Sequence, residues 1–556
     1  MPKPDLVLLH PPSLYDFRDK AIMYGPISDV VPPTPIFEMY PIGFVSILGY
    51  LEQQGYNVRI INIALKMLKD RKFDPESLIR GLRPKAFGID FHWLVHAQGS
   101  LELARIVKSH HPDTPIIFGG LSSTYFHTQI IENYPYVDYV VRGDTTEYPL
   151  HQLMRCIEEN RDPQDVPNIT WRDSNGKICI NHLSFVPDSL DDFVLDAGRM
   201  VKSSLKYRDI SGHLPYHGWK SYPITSVLAC KGCIFNCITC GGSQYSYQRI
   251  CNRSSIAYSK PEKIVSEVKA IEKYVDGPVF ILGDLRIAGK NYAESVLDLM
   301  KKEKVDSPMV IELFTPASKD YLEKIAESLP SFSFEISPES HDERVRHAFG
   351  RPYGNDELEK TLSNALELGC QRLDVFFMMG LPYQTKESAL DTAKYCQRLL
   401  EEHGRDNRFH PFIAPLAPFL DPGSIAFENP KNHGYNLFYR GLEEYRQAMA
   451  LPNWKQFLNY QTSWMTRDEL VGATYDVALL LNRAKAQHGL IDPDTAEKIG
   501  TKIQVARDTL YKIDKITQLD DPKLRAQGLK DLRSQIEEVN QRLLCPEDEL
   551  LRWPSR

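Results

Sequence analysis

The chain has 556 residues, a formal net charge of −7 at pH 7, 42% hydrophobic residues and 25% charged residues. This length predicts several domains with ordinary hydrophobic cores, and the absence of a basic block argues against a nucleic-acid binder. No stretch approaches the roughly 18 consecutive apolar residues of a membrane-spanning helix, and the N-terminus lacks the pattern of a signal peptide, so we expect a cytoplasmic protein without a membrane span.

The first part of the chain alternates short apolar runs with helical patterns. The strand patterns lie at residues 5–9, 58–63, 86–90, 115–120 and 137–143. This alternation predicts an α/β domain over residues 1–155, a doubly wound parallel sheet of the Rossmann-like type. Such sheets bind ligands at the carboxyl ends of their strands. The runs that follow these strands are rich in Gly, Pro and Ser, and they include Gly119, Gly120 and Ser122.

A second α/β series follows a connector that is rich in Pro and Asp, predicted over residues 156–222. Its strand patterns lie at residues 224–228, 279–282, 310–314, 333–336, 373–378 and 411–414. Six strands with helices between them predict a partial (βα)6 barrel of the TIM type over residues 223–428. Helical periodicity then predicts a C-terminal helical domain over residues 429–556.

Three cysteines follow the first barrel strand, Cys233, Cys237 and Cys240, with the spacing C-x3-C-x2-C. Three thiolates on one loop suit three irons of a cubane cluster and leave the fourth iron open to a small molecule. Because Cys230 lies nearby, a zinc site is an alternative, although structural zinc usually joins two Cys pairs across a longer segment. A disulfide and free buried thiols are further alternatives, and the roles of Cys230 and Cys251 stay open.

This cysteine loop resembles the signature of the radical S-adenosylmethionine (SAM) superfamily. In that family the three cysteines hold a [4Fe-4S] cluster, and the open iron binds the amino and carboxylate groups of SAM. One electron then cleaves SAM to methionine and a 5′-deoxyadenosyl radical. The family usually has an aromatic residue just before the third cysteine, and this chain has Thr239 there.

The same resemblance implies SAM contacts elsewhere in the barrel. Asp284 stands where the family often has the Glu of a Gly-Gly-Glu run that binds the SAM amino group. Glu339 matches a position that family members use near the SAM ribose or amino group, and Gly380 resembles a glycine beside the adenine. Each is also an ordinary turn residue. The segment 349–354, after an arginine-rich run, either contacts an anionic cofactor edge or forms a solvated helix end.

The N-terminal domain resembles the cobalamin-binding domain that precedes the radical SAM domain in one large branch of that superfamily. The matching pieces are Pro41-Ile42-Gly43, Gly119-Gly120 and the run at residues 137–144. The motif D-x-H-x-x-G, whose His ligates cobalt from below, is missing, because Val95 stands three residues after His92 instead of Gly. His92 is then either a cobalt ligand or a loop residue. Ser122 either donates to the nucleotide tail or caps a helix.

The resemblance therefore implies an enzyme whose cofactors are a [4Fe-4S] cluster, SAM and cobalamin. The activity that it implies first is methyl transfer to an unactivated carbon or a phosphinate centre of a small molecule or peptide. An electron donor such as flavodoxin or ferredoxin would supply the electron. Two alternatives stay open: a rearrangement or cyclisation without methylation, and a non-catalytic ligand-sensing protein with a structural zinc site.

Overall fold

A computed structural model describes residues 3–25, 36–415 and 420–543 of the chain. Its N-terminal part is a seven-stranded sheet in the order β2-β1-β3-β4-β5-β6-β7, in which the first five strands pair in parallel. The strands are β1 (Leu6–His10), β2 (Val58–Asn62), β3 (Ala86–Asp90), β4 (Ile116–Gly119), β5 (Tyr139–Val141), β6 (Ile169–Arg172) and β7 (Ile178–Ile180). The helices are α1 (Gly43–Gln53), α2 (Ile63–Lys69), α3 (Pro75–Gly81), α4 (Ala97–His110), α5 (Leu121–Tyr125), α6 (His127–Asn133) and α7 (Glu147–Glu159).

The central strands of this sheet are buried on both faces, as continuous apolar runs in parallel sheets require. All five residues of β1 are buried, and so are those of β2 and β3. This confirms the predicted doubly wound fold. The two strand patterns inside the predicted connector become β6 and β7, which pair antiparallel to the β5 edge. Their addition covers that edge of the sheet and protects it from other chains.

The rest of the connector is tied to the first domain by buried hydrogen bonds. It contains α8 (Ala197–Lys206) and α9 (Ile210–His213). The Tyr40 hydroxyl donates to the His213 carbonyl (2.7 Å), and the Asn62 amide donates to the Leu214 carbonyl (3.2 Å). The connector thus forms one wall between the two α/β sheets.

The second sheet contains six parallel strands in the order β15-β14-β13-β12-β11-β8. With a short antiparallel pair after β8, its strands are β8 (Thr225–Leu228), β9 (Cys230–Lys231), β10 (Ala257–Tyr258), β11 (Val279–Leu282), β12 (Met309–Leu313), β13 (Phe332–Glu339), β14 (Leu373–Met379) and β15 (Phe409–Pro415). The helices are α10 (Gln244–Cys251), α11 (Pro261–Ile271), α12 (Lys290–Lys302), α13 (Lys319–Ser328), α14 (Glu343–Phe349), α15 (Asn355–Glu367) and α16 (Lys386–His403). Among the described residues β8 does not pair with β15, so the partial barrel is confirmed.

The C-terminal part is mainly helical, as predicted. It contains α17 (Ile425–Glu428), β16 (Tyr435–Leu437), α18 (Leu442–Ala448), α19 (Trp454–Phe457), β17 (Tyr460–Thr462), α20 (Arg467–Gln487), α21 (Pro493–Thr517), α22 (Pro522–Asp531) and α23 (Arg533–Leu543). The Asn540 side chain donates to the Ile22 carbonyl (2.7 Å) and accepts from the Tyr24 amide (3.2 Å), so α23 is attached to the N-terminal domain. In the ranges that the structure describes, no helix is long and apolar enough to cross a membrane.

Candidate active site

The cysteine loop begins at the carboxyl end of β8, the end at which barrel enzymes place their chemistry. The Phe235 amide donates to the Cys233 sulfur (3.4 Å), and the Gly242 amide donates to the Cys240 sulfur (3.3 Å). Backbone hydrogen bonds of this kind stabilise thiolate ligands and tune the potential of iron–sulfur clusters. Burial raises the pKa of Cys237, which is 6% exposed, to about 11.

The cysteines of the structure bear on the alternatives to an iron–sulfur cluster, which were a zinc site, a disulfide and free buried thiols. The nine cysteines within the described ranges are all free, so that part of the chain holds no disulfide. Within the same ranges, no three His, Cys, Asp or Glu side chains converge as a preformed metal site. The loop thus offers three free thiols, two of which accept from backbone amides, and this donor set fits an iron–sulfur cluster.

The backbone of the cysteine loop packs directly against the backbone at the end of α14. The Ile238 amide donates to the Phe349 carbonyl (2.9 Å). A Cβ at Gly350, where φ is 113°, would lie 2.8 Å from the Asn236 carbonyl oxygen and 3.0 Å from the Cys237 Cα. Only glycine allows this approach. The contact brings the next residue, Arg351, beside the cysteines.

The Arg351 side chain is only 11% exposed, so it is not part of a solvated helix end. The other interpretation of segment 349–354, contact with an anionic cofactor edge, stays a prediction. The Arg351 guanidinium carbon lies 5.7 Å from the centre of the Phe235 ring and 5.5 Å from that of Phe314. One guanidinium nitrogen donates to the Phe314 carbonyl (2.6 Å), and another lies 3.7 Å from Glu339 Oε1. Cation–π contacts with both rings hold the group in place. The sequence signal was the basic run before it, but the side chain's direction could not be predicted.

Glu339 ends β13 in a conformation that non-glycine residues rarely adopt, with φ at 69°. The strand register shifts between Ile336 and Glu339, as in a bulge. Backbone strain and bulges of this kind cluster at functional sites. Burial raises the pKa of Glu339 to about 7, and Arg351 opposes this shift. Glu339 Oε2 and Arg351 Nε are buried without a hydrogen-bond partner in the described structure. Oε2 can therefore accept a hydrogen bond from a bound cofactor such as SAM, and the Nε N–H can donate one to it.

Asp284 is already engaged by the protein. Its carboxylate pairs with Arg286 (2.6 Å and 2.9 Å) and accepts from the Phe314 amide (2.9 Å). It also caps the short turn that follows by accepting from the Arg286 amide (3.0 Å). The structure thus gives Asp284 the turn role that the sequence left as an alternative, and its contact with SAM stays a prediction.

Glu312 is a site residue that the sequence analysis missed. It lies on β12, and its Oε2 accepts from the amide of Gly283, the residue before Asp284 (2.6 Å). Burial raises the pKa of Glu312 to about 7. The available signal was a carboxylate within the apolar strand pattern of residues 309–313, since a charged residue on a barrel strand faces the interior only with a partner or a function.

Gly380 follows β14 and lies under the antiparallel pair of β16 and β17. Its φ is 88°, and a Cβ there would lie 2.5 Å from the Tyr460 hydroxyl. The Tyr435 hydroxyl donates to the Gly380 carbonyl (3.0 Å), while the Gly380 amide donates to Gln384 (2.8 Å). The predicted adenine glycine therefore has a second structural reason to be glycine, because the tyrosines of β16 and β17 pack against it.

A cavity of about 750 Å³ lies between the two sheets and the connector. Its N-terminal wall holds the loops after β3 and β4, including Asp90, His92, Gly119 and Gly120. From there it continues between the sheet and α1. Its barrel wall holds Lys231, Tyr247, Leu282 and Glu312, among others. Depth, apolar walls and glycines at its edge fit a large cofactor with a long tail.

The predicted cobalamin residues share one edge of this cavity, except for Ser122. Gly119 and Gly120 line it, and a Cβ at Gly120, where φ is 112°, would lie 2.5 Å from the His92 Cα. Ser122 does not line it, because its hydroxyl donates to the His92 carbonyl (2.9 Å). Its predicted bond to the nucleotide tail stays a prediction. His92 is half-buried at this edge, and burial lowers its pKa to about 4.

Substitution of Gly120 by alanine is expected to lower cobalamin affinity by at least about tenfold, because the strain and the clash with His92 would displace the loop. The cobalt-to-iron ratio of reconstituted protein measures this. Gly176→Ala is the matched control, since Gly176 has a φ of 80° on the β6–β7 turn with open space around it. Cobalt content equal to that of the unsubstituted protein would contradict the role of Gly120.

Two protein families match the chain in the order that the sequence predicted. The B12 binding domain matches residues 34–149, and the radical SAM superfamily matches residues 227–396. The first match covers the cavity edge at Gly119 and Gly120. The second covers the cysteine loop, Glu339, Arg351 and Gly380.

Individual proteins give the same combination at low sequence identity. The chain is 26% identical over 273 residues to the anaerobic magnesium-protoporphyrin IX monomethyl ester cyclase of Rubrivivax gelatinosus, a match that covers 48% of this chain and 45% of the cyclase, less than half of that relative. It is 21% identical over 460 residues to an uncharacterized methyltransferase of Pyrococcus horikoshii, covering 81% of this chain and 91% of that protein. Its fold is similar to that of the radical S-adenosylmethionine methyltransferase TsrM from Kitasatospora setae, solved with cobalamin and a [4Fe-4S] cluster, with a TM-score of 0.57, 13% identity and coverage of 97% and 99%.

The two domain matches confirm a B12-binding domain followed by a radical SAM domain, and the shared fold agrees with them. The assignment of Cys233, Cys237 and Cys240 as cluster ligands stays a prediction. A regulatory scaffold around a zinc site is not favoured by these matches. The cofactors are accordingly cobalamin, a [4Fe-4S] cluster and SAM. The chain belongs to the cobalamin-binding radical SAM superfamily, with a B12-binding domain followed by a radical SAM domain.

Proposed function

We propose that this protein is a methyltransferase that uses cobalamin and SAM to methylate an unactivated carbon or a phosphinate centre of a small molecule or peptide. The observation that carries the proposal is the cavity, which joins the loops after β3 and β4 to the barrel strands beside the cysteine loop. Radical methylation requires a methyl carrier and a hydrogen-abstracting site to reach the same substrate atom. The names of the Pyrococcus relative and of TsrM support methyl transfer.

The chain's own residues supply binding, orientation and charge. Cys233, Cys237 and Cys240 would hold the cluster, and Gly119 and Gly120 would let the backbone approach cobalamin. When bound, SAM and cobalamin supply the methyl group, and the cluster supplies the electron that generates the 5′-deoxyadenosyl radical.

Three side chains around the barrel mouth set the electrostatics of the SAM site. The unpartnered carboxylate oxygen of Glu339 would face a cationic group of the cofactor. The unpartnered Nε of Arg351 would face an anionic group. Glu312 fixes the loop at Gly283 through a 2.6 Å hydrogen bond. Because the side chains of Arg351 and Glu339 are only 11% and 3% exposed, their charges act with little screening by water.

The test supplies anaerobically reconstituted protein with hydroxocobalamin, a reductant and SAM that carries a deuterated methyl group. We expect about four irons and one cobalt per chain, formation of 5′-deoxyadenosine, and transfer of the deuterated methyl group from SAM to the added cobalamin. Formation of 5′-deoxyadenosine without that transfer would contradict methylation and favour a rearrangement or cyclisation, in keeping with the name of the Rubrivivax relative. Zinc without iron would overturn the radical chemistry itself.

We also propose a cytoplasmic enzyme that receives its electron from a flavodoxin or ferredoxin. An oxygen-sensitive cluster favours a reducing compartment. Comparison of 5′-deoxyadenosine formation with each purified donor and with dithionite would identify the partner.

A further inference from the structure

The connector helix α8 presents apolar side chains away from the protein interior. Its buried residues are Gly198 and Ser203, and the Ser203 hydroxyl donates to the Val58 carbonyl of the first sheet (3.3 Å). Val201 and Leu205 lie one turn apart on the helix, and they are 39% and 64% exposed. A surface helix ordinarily buries its apolar stripe and exposes its polar side chains. In the described structure α8 therefore leaves apolar side chains uncovered.

Exposed apolar side chains continue onto the two elements beside α8. Ile210, on α9, is 49% exposed, and Tyr274, just beyond the end of α11, is 52% exposed. The Tyr274 side chain reaches α8, because a Cβ at Gly198 would lie 3.0 Å from its hydroxyl. We call Val201, Leu205, Ile210 and Tyr274 the apolar rim.

The apolar rim borders the cavity between the two sheets. Val201, Ile210 and Tyr274 line that cavity, whereas Leu205 lies outside it. Behind the rim the cavity wall stays apolar as far as the barrel strands, where it is lined by Met200, Leu214, Trp219, Ile224, Val275 and Phe280. A cofactor bound inside the cavity would leave Leu205 exposed. The outer part of the rim is thus open to a partner that is not a cofactor.

The charged side chains beside the rim are basic, although the whole chain has a net charge of −7. Residues 197–220 contain five basic residues and one acid, Asp209. Asp209 is buried and forms two ion pairs (2.6 Å and 2.9 Å). The exposed charged side chains of this stretch are Lys202, Arg208 and Lys220. An apolar face flanked by Lys and Arg is typical of helices that lie on an anionic membrane surface.

From these features we infer that the apolar rim docks on an anionic lipid bilayer, and that the substrate is a lipid whose hydrocarbon part enters the cavity between α8 and α11. The rim would enter the acyl boundary, and the basic side chains would stay with the lipid phosphates. A second copy of the chain is a poorer occupant, because a twofold contact would bring the same basic side chains face to face. Hydrocarbon carbons are unactivated, so the reaction of the lipid rests on the proposed function.

Cosedimentation of the full chain with vesicles tests the docking. We expect binding to phosphatidylglycerol vesicles that weakens as salt is raised, and at least about tenfold weaker binding to phosphatidylcholine vesicles. Leu205→Glu combined with Ile210→Glu is expected to lower binding to phosphatidylglycerol by at least about tenfold. Leu524→Glu is the matched control, because Leu524 is 57% exposed on α22. Iron content and 5′-deoxyadenosine formation, which the exposed positions should not alter, report whether both variants are folded.

Entry of the lipid is tested with phosphatidylglycerol that carries a photoactivatable diazirine on its acyl chain. After irradiation of vesicles with bound protein, we expect labels behind the rim, for example on Met200 and Ile271, as well as on the rim itself. Neither assay requires methyl transfer, so a failure of the proposed methylation is read separately.

Four results would overturn the inference. They are no binding to phosphatidylglycerol vesicles, equal binding to both kinds of vesicle, binding that the double variant does not lower, and labels confined to the rim. A dimer that the double variant dissociates, together with absent vesicle binding, would assign the rim to a second copy of the chain.

Discussion

Alanine in place of Cys233, Cys237 or Cys240 is expected to reduce 5′-deoxyadenosine formation to the background level. Each substitution removes one of the three thiolates that would bind the cluster, and a [4Fe-4S] cluster needs all of its protein ligands for stable binding. The fold should remain, because backbone contacts at Ile238 and Gly350 hold the loop without the thiols. Iron and sulfide content, the visible absorption of the cluster and 5′-deoxyadenosine formation measure the effect.

Cys179→Ala is the matched control for these variants. Cys179 lies on β7, the edge strand of the N-terminal sheet, and its sulfur is 3.9 Å from the Lys177 carbonyl oxygen, whereas the cysteine loop follows β8 of the second sheet. We expect this variant to keep its iron and its SAM cleavage. If Cys237→Ala retained about four irons and cleaved SAM, the assignment of the loop would be wrong.

Arg351→Gln is expected to lower SAM cleavage by about a hundredfold while the cluster remains bound. The substitution removes the cation 3.7 Å from Glu339 and beside Cys237. Without that cation the pKa of Glu339 would rise above its value of about 7. The carboxylate would then be protonated at neutral pH and could not balance the positive sulfonium of SAM. Removing one partner of a buried pair should also cost about 3 kcal/mol of folding stability.

The two effects of this substitution can be separated. Iron content and thermal unfolding report the fold and the cluster, whereas SAM binding and 5′-deoxyadenosine formation report the site. Arg344→Gln is the control, because the Arg344 guanidinium stacks on the exposed ring of Tyr383 (4.4 Å) and makes no ion pair within the described ranges. Unchanged SAM binding and cleavage in Arg351→Gln would show that the buried guanidinium serves only the packing of Phe235 and Phe314.

Local patterns were sufficient for most of the secondary structure and for the order of the domains. The apolar run at residues 279–282 forms β11 with those bounds, and the alternation of strands and helices yields two parallel sheets. Because parallel strands connected by helices place all their carboxyl ends at one edge, the sequence also predicted that the cysteine loop, Glu339 and Gly380 share one end of the barrel. The spacing of the three cysteines indicated an iron–sulfur cluster, and the resemblance to the radical SAM superfamily implied the rest of the cofactor chemistry.

The tertiary structure decided what depends on contacts between distant segments. The strand patterns of the connector could not reveal that β6 pairs with β5 and β7 with β6, since pairing partners are not encoded in periodicity. Likewise, the direction of Arg351 and the cover of Tyr435 and Tyr460 over Gly380 arise from packing between segments that are distant in the sequence. The cavity that joins the two cofactor domains exists only once the connector and both sheets have packed together. Sequence thus determined the cofactors and the framework, and packing determined which side chains face them, because side-chain direction and burial are properties of the assembled fold.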